Sequence, residues 1–326
     1  MIYDCFTFFN ELDLLEIRLN VLDGVVDRFV IVEATRTHSN KPKELVFQAN
    51  ASRFDKFLHK INYIAVDDYP EFETAWTNEN HQRNCIEQGL RDCKDNDVIL
   101  ISDLDEIPKP EAILEYRNTS GIKSFEQRMF YYYLNHLCVR NSGWPGTRML
   151  SYRDFKHGLD DVRNYGHCNI EKLNQGTTAT KIRIYKKGIR VPDGGWHFSY
   201  IGGIEAVREK IQASSHEELN FEEYRNLRNI EKRMTDDFAR HRLVGLEIDE
   251  TFPTYLRNNI DRYEKYVGPI TPKEVIEHVR RTAPLTALKD RAMRFVTQLL
   301  VAFIPVKTWR KRARMYFAVR LYGMTR

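Results

Sequence analysis

Apolar and polar positions change period repeatedly along the first hundred residues. IYDCFTFF (2–9) reads as a strand, and ELDLLEIRLNVL (11–22) places Leu12, Leu15, Ile17, Leu19 and Leu22 near helical spacing. RFVIVEA predicts a second, buried strand, SRFDKFLHK a short helix and INYIAV a third strand. AWTNENHQRNCIEQGLRDC (75–93) then predicts a longer helix, and DVILIS a fourth strand. Strands that alternate with helices predict an α/β fold with a mostly parallel, doubly wound sheet. No Gly-x-Gly-x-x-Gly follows a strand and no Gly-x-x-x-x-Gly-Lys-Ser/Thr occurs. A dinucleotide-binding Rossmann domain and a P-loop NTPase thereby lose their main support.

After Pro110 the texture changes. IKSFEQRMFYYYLNHLCVR (122–140) is aromatic and β-prone, and NSGWPGTRML follows with turn residues. TKIRIYKKGIRVPDGGWHFSYIGG (180–203) predicts short strands around Gly194 and Gly195, and helices follow over about 204–214 and 221–238. We expect one domain over 1–283, with a first half to residue 110 and a second half from 111, then a separate tail over 284–326.

The fourth strand ends on DVILISDLDEIPKP (97–110), which raises the first question of chemistry. Val98 to Ile101 form a continuous apolar run, as in a strand buried on both faces. Pro108 and Pro110 forbid a central strand beyond it. Asp103, Asp105 and Glu106 therefore fall at the carboxyl end of a buried strand, where open α/β sheets bind ligands. In an extended chain Asp103 and Asp105 point to the same side. At ~4 Å and an effective dielectric near 20, two such charges repel by roughly 4 kcal/mol. A divalent cation reverses that sign, and hard oxygen ligands suit Mg²⁺ or Mn²⁺ sharing a substrate phosphate. The run reads as a metal–diphosphate site; the plain alternative is a solvated acidic turn.

Other residues carry weaker signals. His197 follows Gly194 and Gly195 in DGGWHFSY, where glycine lets backbone approach a ligand closely. A lone histidine is more often a packing residue. Trp196 either stacks on a sugar ring or fills the core. Arg83 and Asn84 lie on the helix before the acidic strand end; an arginine fork suits a diphosphate or sugar hydroxyls, or is simply solvated. Glu33, Asp67 and Asp68 end the second and third strands, where each binds nucleotide or caps a turn. Glu106 either contacts substrate or caps a helix that begins near Pro110.

Composition adds bounds. The chain has 326 residues, 42% hydrophobic and 29% charged, enough for a sizeable core. A net charge of +4 implies no nucleic-acid partner by itself. The five cysteines form no Cys-x-x-Cys pair, so free thiols in a reducing compartment are expected. MIYDCFTFFN reads as a first strand rather than a signal peptide. No apolar stretch is long enough to predict a spanning helix.

The tail differs from the rest. From Val306 to Arg326 there are seven basic residues and no acidic one, interleaved with Trp309, Met315, Tyr316, Phe317 and Val319. A basic amphipathic segment of this kind predicts a peripheral helix on an anionic membrane surface, here the inner face of the cytoplasmic membrane. A solvated or dimer-packing helix is the alternative. The greasy neighbours argue against nucleic acid.

FTFFNELDLLEIRL, VVDRFVIVEATRTHSNKPKEL, DLDEIP and GGWHFSYIGG stand in this order within about residues 2–269, and together they resemble glycosyltransferase family 17. The resemblance implies a GT-A-like fold, a nucleotide-sugar donor, a divalent cation (Mn²⁺ or Mg²⁺) and inversion at the anomeric carbon. It implies that Asp103 and Asp105 face the metal, ribose and diphosphate, with Asp105 coordinating directly, and that His197 is a late metal ligand. Glu33, Asp67, Arg83, Asn84, Glu106 and Trp196 then line the donor side. Inversion needs a carboxylate base; Asp160, Asp161, Asp193 and Glu205 are candidates, and Glu205 and Asp193 are preferred. UDP-N-acetylglucosamine is the default donor, and a glycan, lipid-linked in a surface polysaccharide or lipopolysaccharide, the expected acceptor. The rival readings are a metal-dependent nucleotidyltransferase or phosphohydrolase, and a membrane-docked scaffold with a degenerate site.

Overall fold

The computed structural model describes residues 1–69, 71, 74–139, 143–155, 188–236, 243–300, 303, 304, 309, 310 and 313. The first part, 180–187, of the segment expected to form short strands, the candidate bases Asp160 and Asp161 and most of the chain past 300 lie outside these residues. The chain begins β1 (Ile2–Phe8), α1 (Leu12–Leu22), β2 (Arg28–Ala34), α2 (Val46–Ala49), β3 (Ile61–Val66), α3 (Ala75–Asn84), β4 (Val98–Asp103), β5 (Glu106–Pro108) and α4 (Pro110–Tyr116). It continues with β6 (Lys123–Tyr131), β7 (His136–Cys138), β8 (Trp144–Ser151), β9 (Ile189–Ser199), α5 (Gly203–Ala213), α6 (Glu222–Arg225) and α7 (Leu227–Asp236). β10 (Leu243–Gly245), α8 (Thr254–Asn258) and α9 (Lys273–Leu300) complete the order.

Two compact units form. One comprises Met1–Met129, Gly143–His197 and Asp249–Arg262, the other Phe130–Ser142, Phe198–Ile248 and Tyr263–Arg326. Strands β6 and β9 carry the chain from one to the other.

In the first unit β4, β1, β2 and β3 pair in parallel in that order, and β8 and then β6 add antiparallel at the β4 side. Helices flank this mixed α/β sheet. Successive residues serve opposite faces. Phe6, Phe8, Phe29, Ile31 and Leu100 pack in one core with Leu15, Leu19 and Phe54. Tyr3, Cys5, Val30, Val32, Ile99 and Ile101 pack in another with Ile86 and Leu90. Burial on both faces is why these strands are mostly apolar, β4 beginning with the unbroken run Val98–Ile101. The register places Thr7 beside both Val32 and Asp103, so β1, β2 and β4 end level at the carboxyl edge.

The late segment Asp249–Arg262 completes this unit. α8 packs on α1, and Glu16 of α1 accepts hydrogen bonds from Arg53 Nε (3.0 Å), Arg262 Nη2 (2.8 Å) and the Tyr255 hydroxyl (3.3 Å). Two expected helices are irregular. The one over 75–93 ends at Asn84 and continues as a 3₁₀ turn, Cys85–Leu90, whose Gly89 lies against Val30 with no room for a Cβ. The one over 52–60 is a 3₁₀ run, Ala51–Lys60, interrupted at Phe54.

In the second unit β7 pairs antiparallel with β10. Asn135 ties the surrounding loops, donating to the Leu246 and Gly268 carbonyls at 3.0 and 2.9 Å and accepting from the Gly268 N–H at 2.8 Å. The helix expected over 221–238 divides into α6 and α7 because Asn226 is extended and its side chain accepts from the Asn229 N–H, an N-cap arrangement. His136 of β7 is fully buried, with Nε2 3.3 Å from the Pro269 carbonyl. Burial pushes its pKa down from 6.5 to about 4.

A folded pKa below the unfolded one means that the unfolded chain binds the extra proton first. Stability is therefore expected to fall as pH is lowered from about 6.5 to about 4. Urea unfolding at pH 7 and pH 4.5 measures this, and His136→Gln should flatten the dependence over that window. An equally steep dependence in the variant would assign it to other groups.

Candidate active site

The acidic end of β4 is a built turn. The chain turns at Leu104 and Asp105 and re-enters extended backbone as β5. Glu106, fully buried, closes the turn on itself: its Oε2 accepts from the Asp103 N–H at 3.1 Å and its Oε1 from the Trp144 indole N–H at 2.7 Å. Glu106 does not cap α4. Lys109 occupies that N-cap, and Pro110 at the start of α4 supplies a φ suited to the first turn.

Behind the turn stands Arg18 of α1, fully buried, its guanidinium 4.4 Å from the Phe6 ring centre. Nε and Nη2 donate to the two carboxylate oxygens of Asp4 at 2.8 and 2.6 Å, and Nη2 also donates to Ser102 Oγ at 2.6 Å. Nη1 donates to the carbonyls of Asp103 and Leu104, each at 3.0 Å, and of Glu106 at 2.9 Å. Thr147 Oγ1 also donates to the Glu106 carbonyl at 3.1 Å, and the buried guanidinium gathers the carbonyls on both sides of the turn onto one donor group.

The turn separates the two aspartates. Alternation along an extended strand does not apply through it, and the two side chains meet different partners. Asp103, with its side chain 41% exposed, meets Arg83, whose Nη2 lies 3.3 Å from Oδ1 and also donates to Glu79 at 2.7 Å. Glu79 in turn lies 3.7 Å from His38 Nδ1, extending a polar chain from the acidic turn to the loop after β2. Asp105 is buried beside His197, with Oδ1 3.4 Å from Nε2. His197 is set there by pairing: β5 and β9 run antiparallel with Glu106 opposite His197. The His197 ring lies 5.3 Å from that of Trp144.

The two glycines before this histidine serve the protein itself. Gly195 has φ +148°, and a Cβ there would meet the Ile107 carbonyl at 2.2 Å; one on Gly194 would meet Phe125. They let β9 close onto β5 and β6, which brings His197 to the turn.

The remaining expected residues have other partners. Trp196 is in the core, its indole N–H donating to the Thr251 carbonyl at 2.9 Å, which selects the packing alternative. Glu33 is fully buried and selects the capping alternative. Its oxygens accept from Lys43 Nζ (2.8 Å), the Val46 and Phe47 N–H groups at the start of α2 (2.6 and 3.1 Å) and the Tyr63 hydroxyl (2.9 Å). Burial and the nearby Glu33 carboxylate raise the Tyr63 pKa. Asn84 and Asp67 are exposed, away from any described contact with the turn. Asp193 pairs with Lys109, and Glu205, at the start of α5 in the second unit, pairs with Arg208 at 2.6 Å; both carboxylates are exposed.

Sequence reading missed Arg18, Asp4 and Trp144. A signal existed for the first two: one charge of each sign sits inside consecutive apolar elements, DCF in β1 and IRL in α1.

Asp105 and His197 could supply one carboxylate oxygen and one imidazole nitrogen to a divalent transition ion such as Mn²⁺. Neighbouring ligands at ~2.1 Å from an octahedral ion stand ~3 Å apart, close to the Asp105–His197 separation of 3.4 Å. Among the described residues no three His, Cys, Asp or Glu side chains converge as a complete metal cage.

Residues 1–240 match the family model of glycosyltransferase family 17. The chain is 32% identical over 288 residues to the human beta-1,4-mannosyl-glycoprotein 4-beta-N-acetylglucosaminyltransferase, covering 78% of this chain and 52% of that protein. It is 24% identical over 308 residues to the enzyme of the same name from Rattus norvegicus, covering 83% of this chain and 56% of that protein. The chain thus spans about half the length of these curated relatives. Among solved structures, the mannosyltransferase PcManGT from Pyrobaculum calidifontis in complex with GDP-Man and Mn²⁺ aligns with 99% of this chain and 88% of its own, at 12% identity and a TM-score of 0.40.

Arg18→Met should leave the Asp4 carboxylate unpaired in the core and the turn carbonyls without their donor. Breaking a buried pair from one side costs ~3–5 kcal/mol, and urea unfolding at pH 7 should show a loss in that range. A loss under ~1 kcal/mol, within the range of ordinary surface substitutions and weak contacts, would mean that the turn is held by other means.

Proposed function

The chain belongs to glycosyltransferase family 17, and from that premise we propose that it transfers N-acetylglucosamine from a UDP-linked donor to a hydroxyl of a glycan acceptor, using a divalent cation and inverting the anomeric carbon. The observation that carries the reading is the pairing of Asp105 with His197 at the carboxyl edge of β4, held from behind by Arg18. Family membership supports sugar transfer itself. The donor sugar, the metal and the stereochemistry rest on the likeness to the N-acetylglucosaminyltransferases and on the chemistry of these side chains.

Asp105 and His197 would hold the cation, and donor phosphates and water would complete its shell, since hard divalent ions commonly use one or two protein carboxylates there. When bound, the metal neutralises the charge that develops on the departing diphosphate. Asp103 presents an exposed carboxylate to ribose or sugar hydroxyls. Arg83, fixed by Glu79 on one side and Asp103 on the other, offers a guanidinium toward the same region and suits a phosphate oxygen. Glu106 and Trp144 do not touch substrate in this reading; they keep the turn in one conformation, so that its carboxylate needs no rearrangement when the donor arrives. Asp193 and Glu205 are the exposed carboxylates proposed to take the proton of the acceptor hydroxyl. A lipid-linked surface glycan is the acceptor we favour.

Asp105→Asn should lower kcat at least a hundredfold, the scale of losing an electrostatic group that acts on developing charge, while the thermal unfolding midpoint stays within a few degrees. His197→Ala should raise the Mn²⁺ concentration for half-maximal activity about tenfold or more, as disturbed metal sites do. Turnover at limiting Mn²⁺ that matches the unmodified protein in both variants would remove the metal from this turn.

The stereochemical part has its own readout. The anomeric proton of the product, followed by NMR from an α-linked donor, should carry the large coupling of a β-linkage. An α-linked product would reject single displacement, and with it a basic role for Asp193 or Glu205.

A further inference from the structure

The long helix α9 leaves one apolar side uncovered. Phe295, Val296 and Leu299 share a side of the helix by their spacing of zero, one and four residues, and they are 61%, 40% and 55% exposed. Phe303, in the turn after α9, is 92% exposed, and Trp309 is 65% exposed beside the exposed Arg310. Large apolar side chains scattered singly over a surface need no explanation, but a contiguous run along one helix side does.

The charge of the same region decides what covers it. From Arg291 to Arg326 the sequence has nine basic residues and no acidic one. A second copy of the chain would bring two such segments together, and like charges oppose that. A nucleic acid would answer the charge but leave phenylalanine and leucine facing phosphate. A bilayer surface with anionic headgroups answers both: acyl chains take the apolar side chains, headgroups take the arginines and lysines, and tryptophan sits at the boundary. Among the described residues no helix is long and apolar enough to cross a membrane.

We propose that the side of α9 formed by Phe295, Val296 and Leu299, continued by Phe303, is a docking surface for anionic lipid bilayers. The surface is separate from the transfer chemistry, and its test reads binding alone.

The full chain is mixed with vesicles of phosphatidylcholine containing about a third phosphatidylglycerol, and the bound fraction is read by flotation. Binding should be at least tenfold weaker to pure phosphatidylcholine vesicles. It should also weaken in 1 M salt, where the Debye length shrinks to ~3 Å. Leu299→Asp/Phe303→Asp should weaken binding to the anionic vesicles at least tenfold, with unchanged circular dichroism and melting temperature. The proposal is overturned if the unmodified chain does not float with anionic vesicles, or if the double variant floats equally well. It is equally overturned if sedimentation shows a dimer that the double variant dissolves, because the face would then belong to a second copy.

Discussion

Arg18 is a full positive charge placed where no water reaches it. Removing such a charge from water is tolerable only when a counter-charge and acceptors surround it. Asp4 supplies the counter-charge from β1, and Ser102 with the carbonyls of Asp103, Leu104 and Glu106 supplies the acceptors. The dependence runs both ways. The carbonyls that flank the turn are buried and need donors, and the guanidinium needs acceptors because it has left the solvent. The acidic turn thus has a fixed place relative to β1 and α1, and that place is the carboxyl edge of the parallel strands.

The chemistry of the site follows from what this constraint leaves free. Glu106 is spent on closing the turn, with one oxygen on the Asp103 N–H and the other on Trp144. Asp103 is directed toward Arg83 and solvent, and Asp105 toward His197. Three neighbouring carboxylates therefore have three environments. The buried Asp105 beside an imidazole suits a shared cation, while the exposed Asp103 beside a guanidinium suits hydroxyls and phosphate. The pairing of β5 with β9 supplies the histidine, and Gly194 and Gly195 make that pairing possible by having no Cβ to collide with Phe125 and Ile107.

Much of this was legible in the residues. Strands buried on both faces announce themselves as apolar runs, so β1, β2 and β4 and the position of the acids at a strand end follow from pattern alone. The turn at Leu104 and Asp105 was not legible, because no local signal distinguishes it from extended chain. Glu33 and Trp196 were equivocal for a different reason. Their roles depend on partners distant in sequence, Lys43, Phe47 and Tyr63 for one and Thr251 for the other. The closing of the first unit by Asp249–Arg262 was illegible on the same ground, since Glu16 and Arg262 are ordinary surface residues until the fold joins them.

The central claim is that the braced turn holds a cation through Asp105 and His197 when a nucleoside diphosphate is present. Crystals grown with Mn²⁺ and UDP, measured at the manganese absorption edge, test it directly. The account predicts an anomalous peak within bonding distance of Asp105 Oδ1 and His197 Nε2, with diphosphate oxygens on its far side. A well-occupied diphosphate with its manganese bound away from both residues would contradict it.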